Sequence, residues 1–281
     1  AIEIFKAVGD KEKWMKALSN SAVSFTNENN YAEARIWYER ALSIAAERKD
    51  MGAQATIYAN LAILSDQEGD KQKAVTLYIQ SLRYFEAKGD WGAAGKIHQN
   101  LGAVYSNLED QHHAIEHTRQ ALALYERAGN LKSRNNALMN LAYYYKESDS
   151  LAQCAHYIAL AESTTFTLNP VQQSLLSLLK GQLAESHGDY PAALMLLDSC
   201  VAQARIANSP INLHNGYATL ARIQLAQRQY AQALKNARVA LGLATQMNDA
   251  VSMNLDQKFV AKAYEGLGNT PEALHFYSAY E

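Results

Sequence analysis

Asparagine stands at Asn20, Asn60, Asn100 and Asn140, forty residues apart each time. A carboxamide offers one acceptor and two donors. A regular row of them can therefore pair with both the N–H and the C=O groups of an extended main chain, whatever its side chains. Four residues before each stand Lys16, Thr56, Lys96 and Asn136, and seven after each stand Asn27, Gln67, Asn107 and Glu147. On a helix both offsets fall on the same face. The resulting strip is polar and carries two cations, which suits an acidic peptide or a terminal carboxylate. The same amides have a competing use within the fold, as caps or as bonds from one helix to the next. Asn in a helix is about 0.5 kcal/mol worse than Ala, so four copies at one phase imply a compensating use of one kind or the other.

The row then changes character. Its next three places hold Leu179, Thr219 and Phe259, and the fifth copy is apolar across Leu175, Leu176, Leu178 and Leu179. Arg222, Lys258 and Lys262 follow on the same side. The leucines either offer a hydrophobic anchor or pack between helices, and the residues alone leave both open. In Tyr143-Tyr144-Tyr145, Tyr143 falls on the face of the row and Tyr145 on the core side.

Other reactive side chains point less clearly to chemistry. His113 and His117 share a helix face next to His112; no third ligand is assured by spacing, although Glu109 and Glu116 are close by, and imidazoles on a solvated helix are common. Cys154 and Cys200 occupy places where a small buried residue recurs, and Trp14, Trp37 and Trp91 read as packing. There is no glycine-rich phosphate loop, no nucleophile elbow and no zinc-protease motif. No catalytic residue, metal site or cofactor is assigned.

The elements that position these residues repeat. Ala34, Ala74, Ala114, Cys154, Ala193, Ala233 and Ala273 are spaced 40, 40, 40, 39, 40 and 40 residues apart. Twelve residues earlier in each copy is another small residue: Ala22, Ala62, Gly102, Ala142, Gly181, Ala221 and Ala261. Four residues later comes a mostly bulky one, such as Tyr38 and Tyr78. Seven later comes a third small one, with Tyr280 as the exception. Small residues at these places let two helices approach closely while bulky ones fill the seam. The joints read Gly9-Asp10, Lys49-Asp50, Gly89-Asp90, Gly129-Asn130, Asn169-Pro170, Asn208-Ser209 and Asn248-Asp249. Gly or Asn suits the left-handed residue that ends a helix, and Asp, Asn or Ser then caps the next. The expected fold is all-α, an αα superhelix of about seven antiparallel helix hairpins running as a single solenoid through residues 1–281. Its repeats fall near 10–49, 50–89, 90–129, 130–169, 170–208, 209–248 and 249–281, with 1–9 the end of a preceding repeat helix. No hairpin buries its apolar face alone, so each needs its neighbours.

Composition agrees. The 281 residues are 48% hydrophobic and 19% charged, with a formal net charge of −2. That is apolar enough to bury a core, and too near neutrality for a footprint on nucleic acid or an anionic membrane. No apolar run reaches the roughly 18 residues of a membrane span. Two cysteines do not fix a redox compartment.

Asn100-Leu101-Gly102-Ala103-Val104-Tyr105 and Gly188-Asp189-Tyr190-Pro191-Ala192-Ala193 resemble the two helices of the tetratricopeptide repeat. The resemblance extends over essentially the whole chain. Its usual period is 34 residues; forty implies a longer second helix and is similar to the repeats of kinesin light chain, the LGN/Pins polarity adaptors, Rap-type peptide receptors and bacterial sensor front ends. The resemblance implies that the first helices line a concave groove. It implies that Asn20, Asn60, Asn100, Asn140, Asn27, Gln67, Asn107, Lys16, Lys96, Tyr143 and Arg222 hold another protein or a peptide segment there, with no nucleic acid or membrane contact and no catalysis. Neither end has the polar helix that usually closes a solenoid. Ala1 begins and Glu281 ends in mid-register, so the chain is expected to be a fragment of a larger, bacterial signalling protein. The alternative is a receptor region in which a small peptide or metabolite switches an attached kinase or DNA-binding domain. The compartment is open; cytoplasmic is favoured, and periplasmic follows if the chain fronts a membrane sensor.

Overall fold

A computed structural model describes residues 2–163 and 167–280, and of Ile2, Ala279 and Tyr280 the backbone alone. Ala1, Glu281 and the Tyr280 side chain, on which the register count relied at its ends, lie outside the described residues. Every element among the described residues is a helix. They are α1 (Ile2–Val8), α2 (Lys11–Asn27), α3 (Tyr31–Glu47), α4 (Met51–Gln67), α5 (Lys71–Lys88), α6 (Trp91–Asn107), α7 (Gln111–Arg127) and α8 (Leu131–Glu147). There follow α9 (Leu151–Glu162), α10 (Pro170–Ser186), α11 (Tyr190–Ile206), α12 (Pro210–Ala226), α13 (Tyr230–Met247), α14 (Ala250–Gly266) and α15 (Thr270–Tyr280). None is long and apolar enough to cross a membrane.

The chain forms two compact units that divide between Ala137 and Leu138, inside α8. In the first, α2 packs on α3, α4 on α5 and α6 on α7, and each pair meets the next through α3 on α4 and α5 on α6. In the second, α10 packs on α11, α12 on α13 and α14 on α15, and the first helices of neighbouring pairs also touch, α10 on α12 and α12 on α14. First helices run 17 residues and complete second helices 17 or 18. The forty-residue period is therefore shared evenly between the two and is not carried by the second alone. The exception is α9, with 12 residues.

The small residues that set the period are fully enclosed, as at Ala22, Ala34, Ala62 and Ala74 in the first unit and Ala193, Ala221 and Ala233 in the second. At Gly102 the approach is closest: a Cβ there would stand 2.4 Å from Thr118 Oγ1 and 3.1 Å from the Ala114 carbonyl. Thr118 thus stands opposite glycine, as Leu197 does opposite Gly181, where the other repeats pair alanine with tyrosine, isoleucine or alanine.

The caps follow the joints. Asp10, Asp50, Asp90, Ser209 and Asp249 each accept a hydrogen bond from the backbone N–H three residues on. Positive φ falls on Gly9, Lys49, Gly89, Gly129, Asn208 and Asn248, one residue ahead of each cap. The fifth joint departs from the expected pairing. Asn169 is itself the cap (φ −74°), in a reciprocal box with Gln172, and Pro170 opens the helix. Proline has no N–H and a fixed φ, which fits the first helical turn. The cap therefore sits one residue early, where the repeat spacing drops to 39.

Candidate peptide-binding faces

In the first unit, Lys16 and Asn20 on α2 are exposed and line a cavity of about 760 Å³ with Lys13, Glu3 and Phe5. Lys16 is not free: it donates to Glu12 one turn earlier at 2.6 Å. Asn60 on α4 and Asn100 on α6 are half-buried, flanked by the buried Leu61 and Ala62 and by Leu101 and Gly102. Asn60 has no side-chain partner among the described residues. Asn100 does, because its amide bonds to the hydroxyl of Tyr78, whose phenol burial otherwise drives far above its ordinary range. A carboxamide has more than one hydrogen-bonding position, so Asn100 combines an internal bond with capacity to spare. Lys96 is exposed and has no ion pair among the described residues, and Asn27, Gln67 and Asn107 are exposed where their helices end.

In the second unit, Asn140 is half-buried on α8 and Tyr143, 40% exposed, meets Tyr144 edge-on at 5.6 Å. Tyr145 stacks on Tyr157 at 5.4 Å, as a seam aromatic should. The apolar stretch of α10 resolves as core: Leu176, Leu178 and Leu179 are buried and Leu175 packs on the same cluster as Leu178. These leucines fill the space between helices and offer no anchor surface. Thr219 is buried too, its hydroxyl donating to the Asn215 carbonyl at 2.8 Å.

The cations expected in this unit line a pocket of about 560 Å³ between α12 and α14, where Arg222, Phe259 and Lys262 meet Tyr230 and Glu265. Its wall depends on Gly266, since a Cβ there would stand 2.3 Å from the Tyr230 ring. Arg222 holds Glu185 through two contacts of 2.7 and 2.9 Å. Burial pushes the Glu185 carboxyl up, while Arg222 and Lys146 pull it back. Glu265 accepts from the Tyr277 hydroxyl at 2.8 Å, and Lys262 has no ion pair among the described residues. The pocket thus presents one uncommitted cation, one shared cation and two aromatic faces.

Tetratricopeptide-repeat family models match residues 15–87 and 95–127, the same stretches that fold into consecutive hairpins of the first unit. The chain is a tetratricopeptide-repeat protein of the long-repeat type. No curated protein sequence aligns with it significantly. By structure it resembles aspartyl phosphate phosphatase F from Bacillus subtilis (TM-score 0.74, 14% identity, 99% of this chain and 72% of that one). It also resembles the Rap conjugation gene regulator of plasmid pLS20, solved with the Phr* peptide (0.67, 14%, 98% and 76%). A third likeness is to a signal-transduction ATPase with a tetratricopeptide-repeat sensor from Pyrococcus horikoshii (0.60, 16%, 94% and 40%).

The repeats hold polar contacts that spacing alone did not reveal. In the first unit His98 on α6 and His117 on α7 face each other, Nδ1 to Nδ1, at 2.9 Å, so one carries the proton and the other accepts it. His117 is thereby turned from His113, which sits against Asp110 at 2.6 Å. Burial lowers both His98 and His117, His117 to about 4. In the second unit His214 Nε2 faces the fully buried Asp256 at 2.8 Å across α12 and α14, and this bond raises the imidazole. Asn212 donates to Ser174 Oγ at 2.6 Å and to the Val171 carbonyl at 3.2 Å, tying α12 to α10. The available signal was a polar residue at a buried phase of successive first helices, as at Ser174 and His214, which stand seven residues before the small residue of their helices.

Proposed function

We propose that this protein is a non-catalytic module that binds an extended segment of another protein, its main chain held against the amides of the first helices. One observation carries the reading. Asn20, Asn60 and Asn140 stand at least partly open, on helices whose neighbouring residues are buried, and have no side-chain partner among the described residues. Unpaired amides held at one helical phase are poor stabilisers and good backbone receptors. Taken by itself, the pocket of the second unit, with Arg222, Lys262 and Phe259, offers charge and an aromatic face to an acidic or apolar side chain. That the Rap regulator of pLS20 was solved with a peptide supports a peptide as the ligand class.

The test is a displayed peptide library selected against the whole chain, followed by fluorescence anisotropy with the selected peptides. Replacing Asn20, Asn60 and Asn140 together by Ala should abolish binding and leave helicity and melting nearly unchanged. If the triple variant binds as before, or if it unfolds, the amides do not serve this role. A second reading, a sensor that switches an attached output domain, draws support from the Pyrococcus ATPase, of which a chain like this one forms 40%. It predicts that the selected peptide alters hydrogen exchange throughout the repeats and not only at the residues it touches.

A further inference from the structure

We propose that His112, His113 and Glu116, on the first turns of α7, bind one divalent transition-metal ion, zinc by preference, in open coordination. All three side chains are exposed, and each offers one ligand atom such that the three atoms lie within 4.8 Å of one another. Two imidazoles and one carboxylate make up the ligand set of open zinc sites, in which water or an incoming group takes the remaining position. The same set disfavours magnesium and calcium, which prefer oxygen throughout. Zinc bonds of about 2.0–2.2 Å in a tetrahedron set ligand atoms about 3.3 Å apart. Closure therefore draws the three side chains together by an ångström or two, within the reach of exposed rotamers.

One ligand is already held in place. Asp110 caps α7 by accepting from the His113 backbone N–H at 3.1 Å through Oδ1, and its Oδ2 meets His113 Nδ1 at 2.6 Å. Tyr105 stacks on the same ring at 5.0 Å. A carboxylate on one imidazole nitrogen fixes the tautomer and leaves Nε2 with its lone pair, the usual outer support of a metal-bound histidine. His112 and Glu116 are one turn apart and so share a helix face. The pairing of His113 with His117 suggested by spacing is replaced, because His117 is committed to His98. The positive end of α7 opposes a cation, and the carboxylates of Glu109, Asp110 and Glu116 at that end offset it.

The test uses the tag-free full chain, titrated with zinc chloride by calorimetry and with cobalt chloride by visible absorption. The expected result is one saturable ion per chain, the strong visible bands of low-coordinate cobalt, and no heat with magnesium chloride. His113→Ala should weaken binding by more than tenfold. Asp110→Asn, which keeps a capping side chain, should weaken it about tenfold. His156→Ala, at an exposed histidine on α9, should leave binding unchanged. Circular dichroism verifies that the surface variants keep their helices. Absence of one-to-one zinc binding overturns the proposal, and so does binding that survives in the His112→Ala/His113→Ala double variant.

Discussion

Each unit buries histidine between two helices, but with opposite partners. In the first, His98 and His117 share a single proton beneath the Tyr105 ring, which stacks on His117 at 5.3 Å. In the second, His214 meets a carboxylate with no exposure at all. A pair of neutral imidazoles resists a second proton, because burial penalises charge and each ring repels the other. A histidine facing Asp256 gains from one. The same side chain thus makes one unit intolerant of acid and the other favoured by it.

The sharpest way to break this contrast is Asp256→Ala. It leaves His214 without its partner in a closed seam and should cost about 3 kcal/mol. Hydrogen exchange should accelerate in α12 and α14 and stay unchanged in α6 and α7. Equal acceleration in both units would remove the distinction.

Acid should act next, with opposite signs. The folded pKa of His117, about 4, lies below its ordinary 6.5. Its contribution is complete above pH 6.5 and lost as pH falls toward 4, on the order of 2 kcal/mol once the ring's partial exposure is allowed for. His214 is raised, so its contribution is complete below pH 6.5 and lost as pH rises through the folded value. Exchange measured from pH 8 to pH 4.5 should show α6 and α7 loosening as α12 and α14 tighten. Replacing His98 and His117 together by Leu should flatten the first response and leave the second.

Caps give a smaller test. Asp70→Ala removes a bond from the Lys73 N–H to the start of α5 and should cost about 1 kcal/mol in denaturant unfolding. Ser150→Ala should cost little, because Ser150 makes no side-chain cap bond to the short α9. Smallest of all is Lys16→Ala, which breaks an exposed pair with Glu12 and should leave the denaturant midpoint where it is.

The helices, their pairing and most of their caps were legible in the residues because each is a local decision. A small side chain permits close approach, a left-handed residue ends a helix, and Asp or Ser begins the next. Asn169 was misjudged by one place because the two roles usually split between neighbours fall there on one residue followed by proline. Tyr143 and Tyr145 followed phase alone. The leucines of α10 did not, since exposure depends on what packs opposite. Nor did the bond of Asn100 to Tyr78, or the meetings of His98 with His117 and His214 with Asp256. Their partners lie 22, 19 and 42 residues away, and contact requires the rotation of two helices, which no single periodicity encodes.

The reciprocal box at Asn169 has a consequence for how such chains tolerate length changes. Because Asn169 and Gln172 start α10 afresh, angular phase is counted from that point forward and not inherited from upstream. One residue inserted before Leu168 would leave Leu176, Leu178 and Gly181 facing inward. One inserted after Ser174 would turn everything beyond it by about a hundred degrees, sending the leucines into water. Drift in spacing is absorbed at the boundary, so a repeat of 39 can follow one of 40 without scrambling what comes after.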